Sequence, residues 1–456
     1  MTPTQRSTAM PELRLSAEPL RDARRLLVIT YNFPPDGAVG GLRWAGLTKY
    51  LARLGWRVSV LTAAPPAGNG TAVGMHVEWC PRLWTCYGLL RQLDRRSHSA
   101  SPTAWRVTSH SESLRFLRHA RREVAEFLAF PDQGRGWVLR ATLRARSLLR
   151  RFEPHVVVSS GPPHSAHLVA RMATIGSSVP WFIDLRDPWA GPLPKAWEAR
   201  PKASQWMFHA LVPRLERLAF RAARGVITNT AQLAEALVAR YPELAVVCIP
   251  NGVDPEGLPP PASDTYPGLS IAYAGRLYVG RDLAPVVQAL RIFLDRHPEA
   301  AHDGSKLRIA GRAEAAHALI FDSAVAAARL ERHVEVLGLL PRSEALRVVS
   351  RSRVAVVLAQ EQELQIPAKL YESVAMGIPT LVLAAADSAT AVEGIRLGAV
   401  VRDPCDIEGI ARVLEQLWLE NVPRQSWSPV PVTYEAVAPL VGELFRGKGI
   451  GHRQCG

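Results

Sequence analysis

Short apolar runs recur along this chain, each closed by a turn signal, and most are followed by a stretch of helical periodicity. Leu26-Leu-Val-Ile-Thr30 lies between charged residues and Pro34-Pro35, which predicts a buried parallel strand. The loop from Tyr31 to Gly41 leads into a stretch with Leu47, Leu51 and Leu54 on one helical face. Gly55 stops that helix, and Trp56 to Thr62 reads as the next strand, completing a βαβ unit. Strand signals return at 156–159, 181–184, 226–228 and 246–249, whereas 63–150 has no clear period and yields no assignable elements. A turn at Ile249 to Asp254 and the proline-dense stretch Leu258 to Pro267 mark a linker. Beyond it the alternation restarts, with strands at 269–274, 307–310, 334–338, 354–358 and 380–383. Helices are predicted at 283–296, 343–351, after Pro367, and at 406–419.

Strands that alternate with helices predict an α/β protein of parallel, doubly wound sheets. Two such Rossmann-like domains face each other across a cleft, where ligands meet the carboxyl ends of the strands. The expected division is a flexible leader at 1–24, one domain at 25–255, a second at 256–425, and a C-terminal helix and tail at 426–456. A chain of 456 residues with 48% hydrophobic content has enough apolar surface for two cores. Its five cysteines are scattered without a Cys-x-x-Cys pair, which argues against a disulfide framework or zinc site and fits a reducing cytoplasm. No apolar run approaches the roughly 18–20 residues needed to span a bilayer.

The net charge of +14 calls for an anionic partner. Neither zinc-finger spacing nor an RNP-like aromatic pattern supports nucleic acid. Between Arg91 and Arg122 eight arginines stand against Asp94 and Glu112, interleaved with Trp84, Leu89, Leu90, Trp105 and Phe116. Such a segment suits an anionic membrane surface, or it is a solvated arginine-rich face.

The stretch Pro367-Ala-Lys-Leu-Tyr-Glu-Ser-Val-Ala-Met-Gly-Ile-Pro379 carries the most chemistry. Pro367 suits a first helical turn, Gly377 ends the helix, and Lys369 and Glu372 share one face. A helix start suits a diphosphate, and a carboxylate one turn further on can accept hydrogen bonds from ribose hydroxyls. This stretch resembles the donor-binding segment of glycosyltransferase family 4, retaining enzymes of the GT-B fold. Tyr31-Asn-Phe-Pro-Pro, Ser160-Gly-Pro-Pro-His-Ser165, Asp184-Leu-Arg-Asp-Pro-Trp189, Ile249-Pro-Asn-Gly-Val-Asp254 and Ala274-Gly-Arg-Leu-Tyr278 are similar to segments of bacterial polysaccharide glycosyltransferases. In this order the resemblance covers nearly all of 26–420.

The resemblance implies transfer of a sugar from a nucleoside diphosphate sugar, expected to be a UDP-sugar. The acceptor is expected to be a hydroxyl on a lipid-linked or polysaccharide intermediate of cell-envelope glycan synthesis, at the inner face of the plasma membrane. It also implies that no metal or other cofactor is needed. In the family an arginine followed by a lysine stabilises the departing diphosphate; Arg276 matches the first and Arg281 stands where the lysine usually does. Glu372 matches the ribose-binding glutamate, whereas Leu364 occupies the position of a second glutamate that many members carry. Gly275, and the backbone of Gln365, Ile366, Pro367 and Ala368, complete the donor side. Lys369 belongs to that segment, its ammonium expected nearer solvent or the sheet end than phosphate.

In the first half, Gly40 and Gly41 allow close backbone approach at a helix start, though their order does not match a dinucleotide fingerprint. His164 at a strand-to-helix turn either bonds the sugar, assists the acceptor hydroxyl, or caps its helix. Asp184, Arg186 and Asp187 stand at the same edge, either to hold the acceptor or to pair with one another. His164 and Asp184 join Arg276 and Arg281 as the catalytic candidates. The alternatives are another GT-B enzyme such as a UDP-sugar epimerase, or a non-catalytic nucleotide-sugar-binding paralogue.

Overall fold

Most of the apolar runs become strands buried on both faces, which is why they read as continuous rather than alternating. The computed structural model describes residues 23–35, 39–65, 74–83, 130–132, 134–191, 202–260, 262–420 and 433–447. The first sheet comprises β1 (Arg25–Thr30), β2 (Arg57–Thr62), β3 (Met75–Trp79), β4 (Val156–Gly161), β5 (Trp181–Leu185), β6 (Gly225–Thr228) and β7 (Val246–Cys248). They lie in the order β3-β2-β1-β4-β5-β6-β7 and pair in parallel. The second comprises β8 (Ser270–Leu277), β9 (Lys306–Ala313), β10 (Val334–Gly338), β11 (Val354–Leu358), β12 (Thr380–Leu383) and β13 (Val400–Arg402). Its order is β10-β9-β8-β11-β12-β13, again parallel. Each order reverses once, between β1 and β4 and between β8 and β11. At such a reversal the flanking loops diverge and open a crevice at the carboxyl edge.

Helices cover both faces of each sheet. In the first half they are α1 (Leu42–Arg53), α2 (Arg135–Phe152), α3 (Ser165–Ala173), α4 (Lys202–Ala222) and α5 (Ala231–Arg240). The second carries α6 (Ala284–Arg296), α7 (Ala315–Ala327), α8 (Arg342–Arg351), α9 (Ala368–Ala375), α10 (Ala389–Arg396) and α11 (Ile407–Leu419), and α12 (Tyr434–Phe445) follows. On one face of the first sheet Leu27, Ile29, Val157 and Ile183 pack with Trp137 and Trp181. On the other, Leu26, Val28, Val156 and Val158 pack with Trp44 and Leu47. This second layer includes Tyr434, Val437, Ala438, Val441 and Phe445, so α12 returns to the first half and packs on α1. A Cβ at Gly46 would run into the Tyr434 ring, so only glycine allows that approach. Ile271, Tyr273, Ile309, Val356 and Leu381 form the core of the second half with Phe293, Leu290 and Leu414.

Two features differ from the sequence reading. The stretch that showed no period contains β3 and α2. Cys248, at the end of β7, is disulfide-bonded, whereas Cys80 and Cys405 are free. One bridge is short of a framework, and no cysteine spacing announced it. Among the described residues no helix is long and apolar enough to cross a membrane.

Candidate functional site

The loops after β1, β4 and β5 meet at the carboxyl edge of the first sheet. Asp184, the fourth residue of β5, is fully buried. It accepts hydrogen bonds from Arg43 Nε (3.1 Å), Trp44 Nε1 (2.8 Å) and Ser160 Oγ (2.7 Å). Arg43 spends its other donors on the carbonyls of Ile249 and Pro250 and on Asn251 Oδ1, at 2.8–2.9 Å. Asp184 therefore anchors α1 and the segment leaving β7; both its oxygens are already bonded. The ion pair forms with Arg43 rather than within Asp-Leu-Arg-Asp. Asp184→Ala would strand a buried guanidinium, which costs about 3–5 kcal/mol. The expected result is a fall of roughly 10 °C in apparent melting temperature, read by calorimetry.

Arg186 donates from Nε to the carbonyl of Gly161 (3.0 Å) and from Nη2 to that of Pro162 (2.7 Å), tying the loops after β4 and β5 together. A Cβ at Gly40 would stand 3.2 Å from its guanidinium, and one at Gly41 2.9 Å from the Phe33 backbone. The glycines thus let the loop after β1 close over Arg186 before α1 begins. Burial raises the Asp187 carboxyl above its ordinary value, and the charges of Arg186 and Arg281 oppose that rise.

His164 sits at the start of α3, its ring stacked on Trp189 at 5.2 Å with an interplanar angle of 14°. Its Nδ1 is buried with no hydrogen-bond partner among the described residues. Burial first, then His167 and Arg186, hold it well below the ordinary histidine range, so near pH 7 it is neutral. A neutral ring offers a substrate a hydrogen bond, not a charge. It does not cap its helix: Asp132 accepts from the Ser165 amide at 2.8 Å. His167, not singled out in the sequence, lies behind it, bonded through Nδ1 to Ser159 Oγ at 2.9 Å and lowered by burial to about 3.

On the facing lip the loop after β11 delivers Pro367 as the N-cap of α9. Lys369 Nζ lies 4.9 Å from the centre of the Tyr273 ring, in space that a Cβ at Gly275 would occupy. Burial pulls its pKa down to about 7, helped by Arg281 and opposed by Glu372. The Lys369 ammonium is therefore packed over the end of β8 as well as beside Arg281, where sequence favoured solvent or sheet-end packing. Arg281 lies 5.0 Å from the Tyr278 ring centre and donates to Gln362 Oε1 at 3.2 Å, while its Nε is buried without a partner among the described residues. Gln360 fixes the same loop pair, accepting from the Asp282 amide and donating to its carbonyl. Glu372 accepts from Arg342 at 2.6 Å.

Lys369, Arg281 and Glu372 are thus brought together; Arg276 is not. It is exposed, and its side chain has no partner among the described residues. Alternation along β8 turns Gly275 towards Lys369 and Arg276 to the other face. Leu364 packs against the core of the first half, and its carbonyl accepts from Thr230 Oγ1 at 2.8 Å. The loop that bears the donor candidates therefore touches both halves, and Gln365 is fixed through its carbonyl by Thr390 (2.7 Å).

Two Rossmann-like halves meeting at their carboxyl edges, with cations, a carboxylate and a helix start on one lip, define the GT-B class. Residues 42–256 match Glycosyltransferase Family 4, and residues 275–420 match Glycosyl transferases group 1. The chain belongs to the glycosyltransferases of the family 4 type. No curated protein matches it in sequence. Among solved structures it is similar to sucrose-phosphate synthase from Thermosynechococcus elongatus, with a TM-score of 0.57 and 15% identity over 93% of this chain and 99% of that one. A glycosyltransferase from Rickettsia africae aligns with a TM-score of 0.56 and 11% identity, covering 94% and 98%. HepE from Anabaena, in complex with UDP and glucose, aligns with a TM-score of 0.55 and 14% identity, covering 92% and 95%. At such identities the likeness is one of fold.

Proposed function

We propose that this glycosyltransferase moves a sugar, with retention of configuration, from a UDP-sugar to an acceptor hydroxyl, as hexosyltransferases do. The observation that carries the reading is the cluster of Arg281, Lys369 and Glu372 at the start of α9. Two cations and the amides of a helix start would stabilise the negative charge growing on a departing diphosphate, and Glu372 would accept from the ribose hydroxyls. With fixed cations at that point, transfer needs no divalent ion. The complex of HepE with UDP-glucose supports a uridine donor.

Acceptor chemistry would belong to the opposite lip. Of the acceptor-side candidates named from the sequence, His164 and Asp187 keep hydrogen-bonding capacity among the described residues, His164 as a neutral group, while Asp184 and Arg186 hold the loops that carry them. Rate enhancement would come mainly from holding donor and acceptor together in the cleft. The acceptor is a lipid-linked or polysaccharide intermediate, met at the inner face of the plasma membrane. The basic segment 91–122 invoked for membrane contact lies outside the described residues.

A melting screen against UDP-, GDP- and CDP-sugars tests the donor. A ligand at a hundred times its Kd stabilises the native state by about 2.7 kcal/mol, so a UDP-sugar should raise the transition by several degrees while the others do not. Product formed from that donor should carry the donor's anomeric configuration. An isomerised UDP-sugar in the absence of acceptor would overturn transfer in favour of epimerisation.

A further inference from the structure

Glu372 is held by a side chain that also reaches the connection between the two sheets. Arg342, the first residue of α8, donates from Nη2 to Glu372 Oε1 at 2.6 Å and from Nη1 to the Gly257 carbonyl at 3.2 Å. Gly257 closes the single helical turn Pro255–Gly257, in the segment between β7 and β8. That turn is gripped from the other side by α1. Lys49 donates to Asp254 (2.7 Å) and Glu256 (2.6 Å), Arg53 to Glu256 (2.7 Å), and Tyr50 to Asp254 (3.1 Å). Ion pairs and hydrogen bonds therefore link α1 of the first half to the connecting turn, and the turn to the arginine that holds the carboxylate on the donor lip.

The geometry of the fork matters more than its charge. A glutamate carboxyl rotates freely about its last torsion, so alone it presents its oxygens in no fixed direction. With Oε1 held by Arg342, Oε2 accepts from no described residue and is left for a ligand. The guanidinium also offsets a negative charge that would otherwise stand beside an incoming diphosphate. Arg342 is 39% exposed and Glu372 13%, so the carboxylate is the better sheltered of the two and the arginine reaches it from the solvent side.

We propose that Arg342 is a positioning residue of the donor site, orienting Glu372 for the ribose and tying it to the connecting turn at Gly257. The inference rests on the donor reading of Glu372. Arg342 touches no reacting atom; it acts through the carboxylate.

The test uses the full-length chain with Arg342→Ala, Arg342→Lys, Glu372→Gln and the Arg342→Ala/Glu372→Gln double variant. UDP affinity is measured by titration calorimetry and kcat by hydrolysis of UDP-glucose. Losing a hydrogen bond to a charged group should weaken UDP about tenfold in Arg342→Ala while kcat stays within about threefold. Arg342→Lys should recover part of the loss, since it keeps the charge without the two-pronged reach. The double variant should bind no worse than Glu372→Gln, because one residue works through the other. Unchanged UDP affinity in Arg342→Ala, or additive losses in the double variant, would overturn the role of Arg342 alone. Unchanged affinity in Glu372→Gln, or a wild-type protein that does not bind UDP, would sink the donor reading itself.

Discussion

Arg281→Ala is expected to lower kcat by about two to three orders of magnitude, the usual effect of removing one preorganised group from a developing anion. Arg281 suits the task because its surroundings hold it in place before substrate arrives. Tyr278 flanks it, Gln362 accepts from Nη2, and Nε is buried with no partner among the described residues. The loss should appear mainly in kcat, because Arg281 lies in the loop between β8 and α6, where its core contact is the Tyr273 hydroxyl. Arg281→Lys should recover part of the rate by restoring charge without the fork. Arg276→Ala provides the contrast: an exposed arginine on the other face of β8 should cost less than about tenfold. Steady-state turnover of a UDP-sugar by the three variants decides the matter. Near-wild-type kcat in Arg281→Ala would remove the diphosphate role from this residue, and a larger loss in Arg276→Ala would return it to the residue that sequence singled out first.

Donor affinity should fall as pH rises through about 7, and Lys369 is the cause. Burial, with Arg281 beside it, brings the Lys369 pKa down to about 7 against the opposing pull of Glu372. The sign follows from which form the diphosphate prefers. Below that pKa the free protein already carries the ammonium and affinity is full. Above it, binding must first take up a proton, so the donor KM rises by as much as about tenfold per pH unit until the pKa of the complex is reached. The neighbouring histidines do not confuse the profile, since both are held far below 7. Lys369→Arg keeps its charge throughout and should flatten the dependence, whereas Lys369→Met should weaken binding at every pH. Initial rates between pH 6 and 9, with proton uptake measured by calorimetry in buffers of different ionisation enthalpy, provide the check. A wild-type KM that is flat across this range, or the same slope in Lys369→Arg, would exclude Lys369 as the titrating group.

How legible the fold was depended on local signal strength. Buried parallel strands need apolar side chains on both faces, so β1, β4, β8, β11 and β12 showed themselves as uninterrupted runs. β3 mixes the exposed His76 and Trp79 with a buried Glu78, and left no such run. α2 exposes Leu139 and Leu143 among its arginines, and these apolar residues on the outer face blur the period that Trp137, Ala141, Ala145 and Leu148 keep on the buried side. α10 and β13 are short and were missed for that reason. Leu54 was read with Leu47 and Leu51, yet it is the C-cap of α1 and half exposed.

The letters alone determined the two parallel sheets, because hydrophobic period, proline and glycine act over a few neighbouring residues; the class of protein and the segments that line the cleft came from the resemblance of their motifs to a known family. They could not assign each polar side chain its partner. Asp184 proved to be a fully bonded anchor for Arg43, 141 positions away. Lys369 found the space left by Gly275, and Glu372 was clamped by Arg342, 30 residues earlier on a different helix. Those pairings are set by how the crossovers bring distant loops to one edge, and a carboxylate's use depends on whether its oxygens are already taken. That is information about distance through space, which only the folded chain contains.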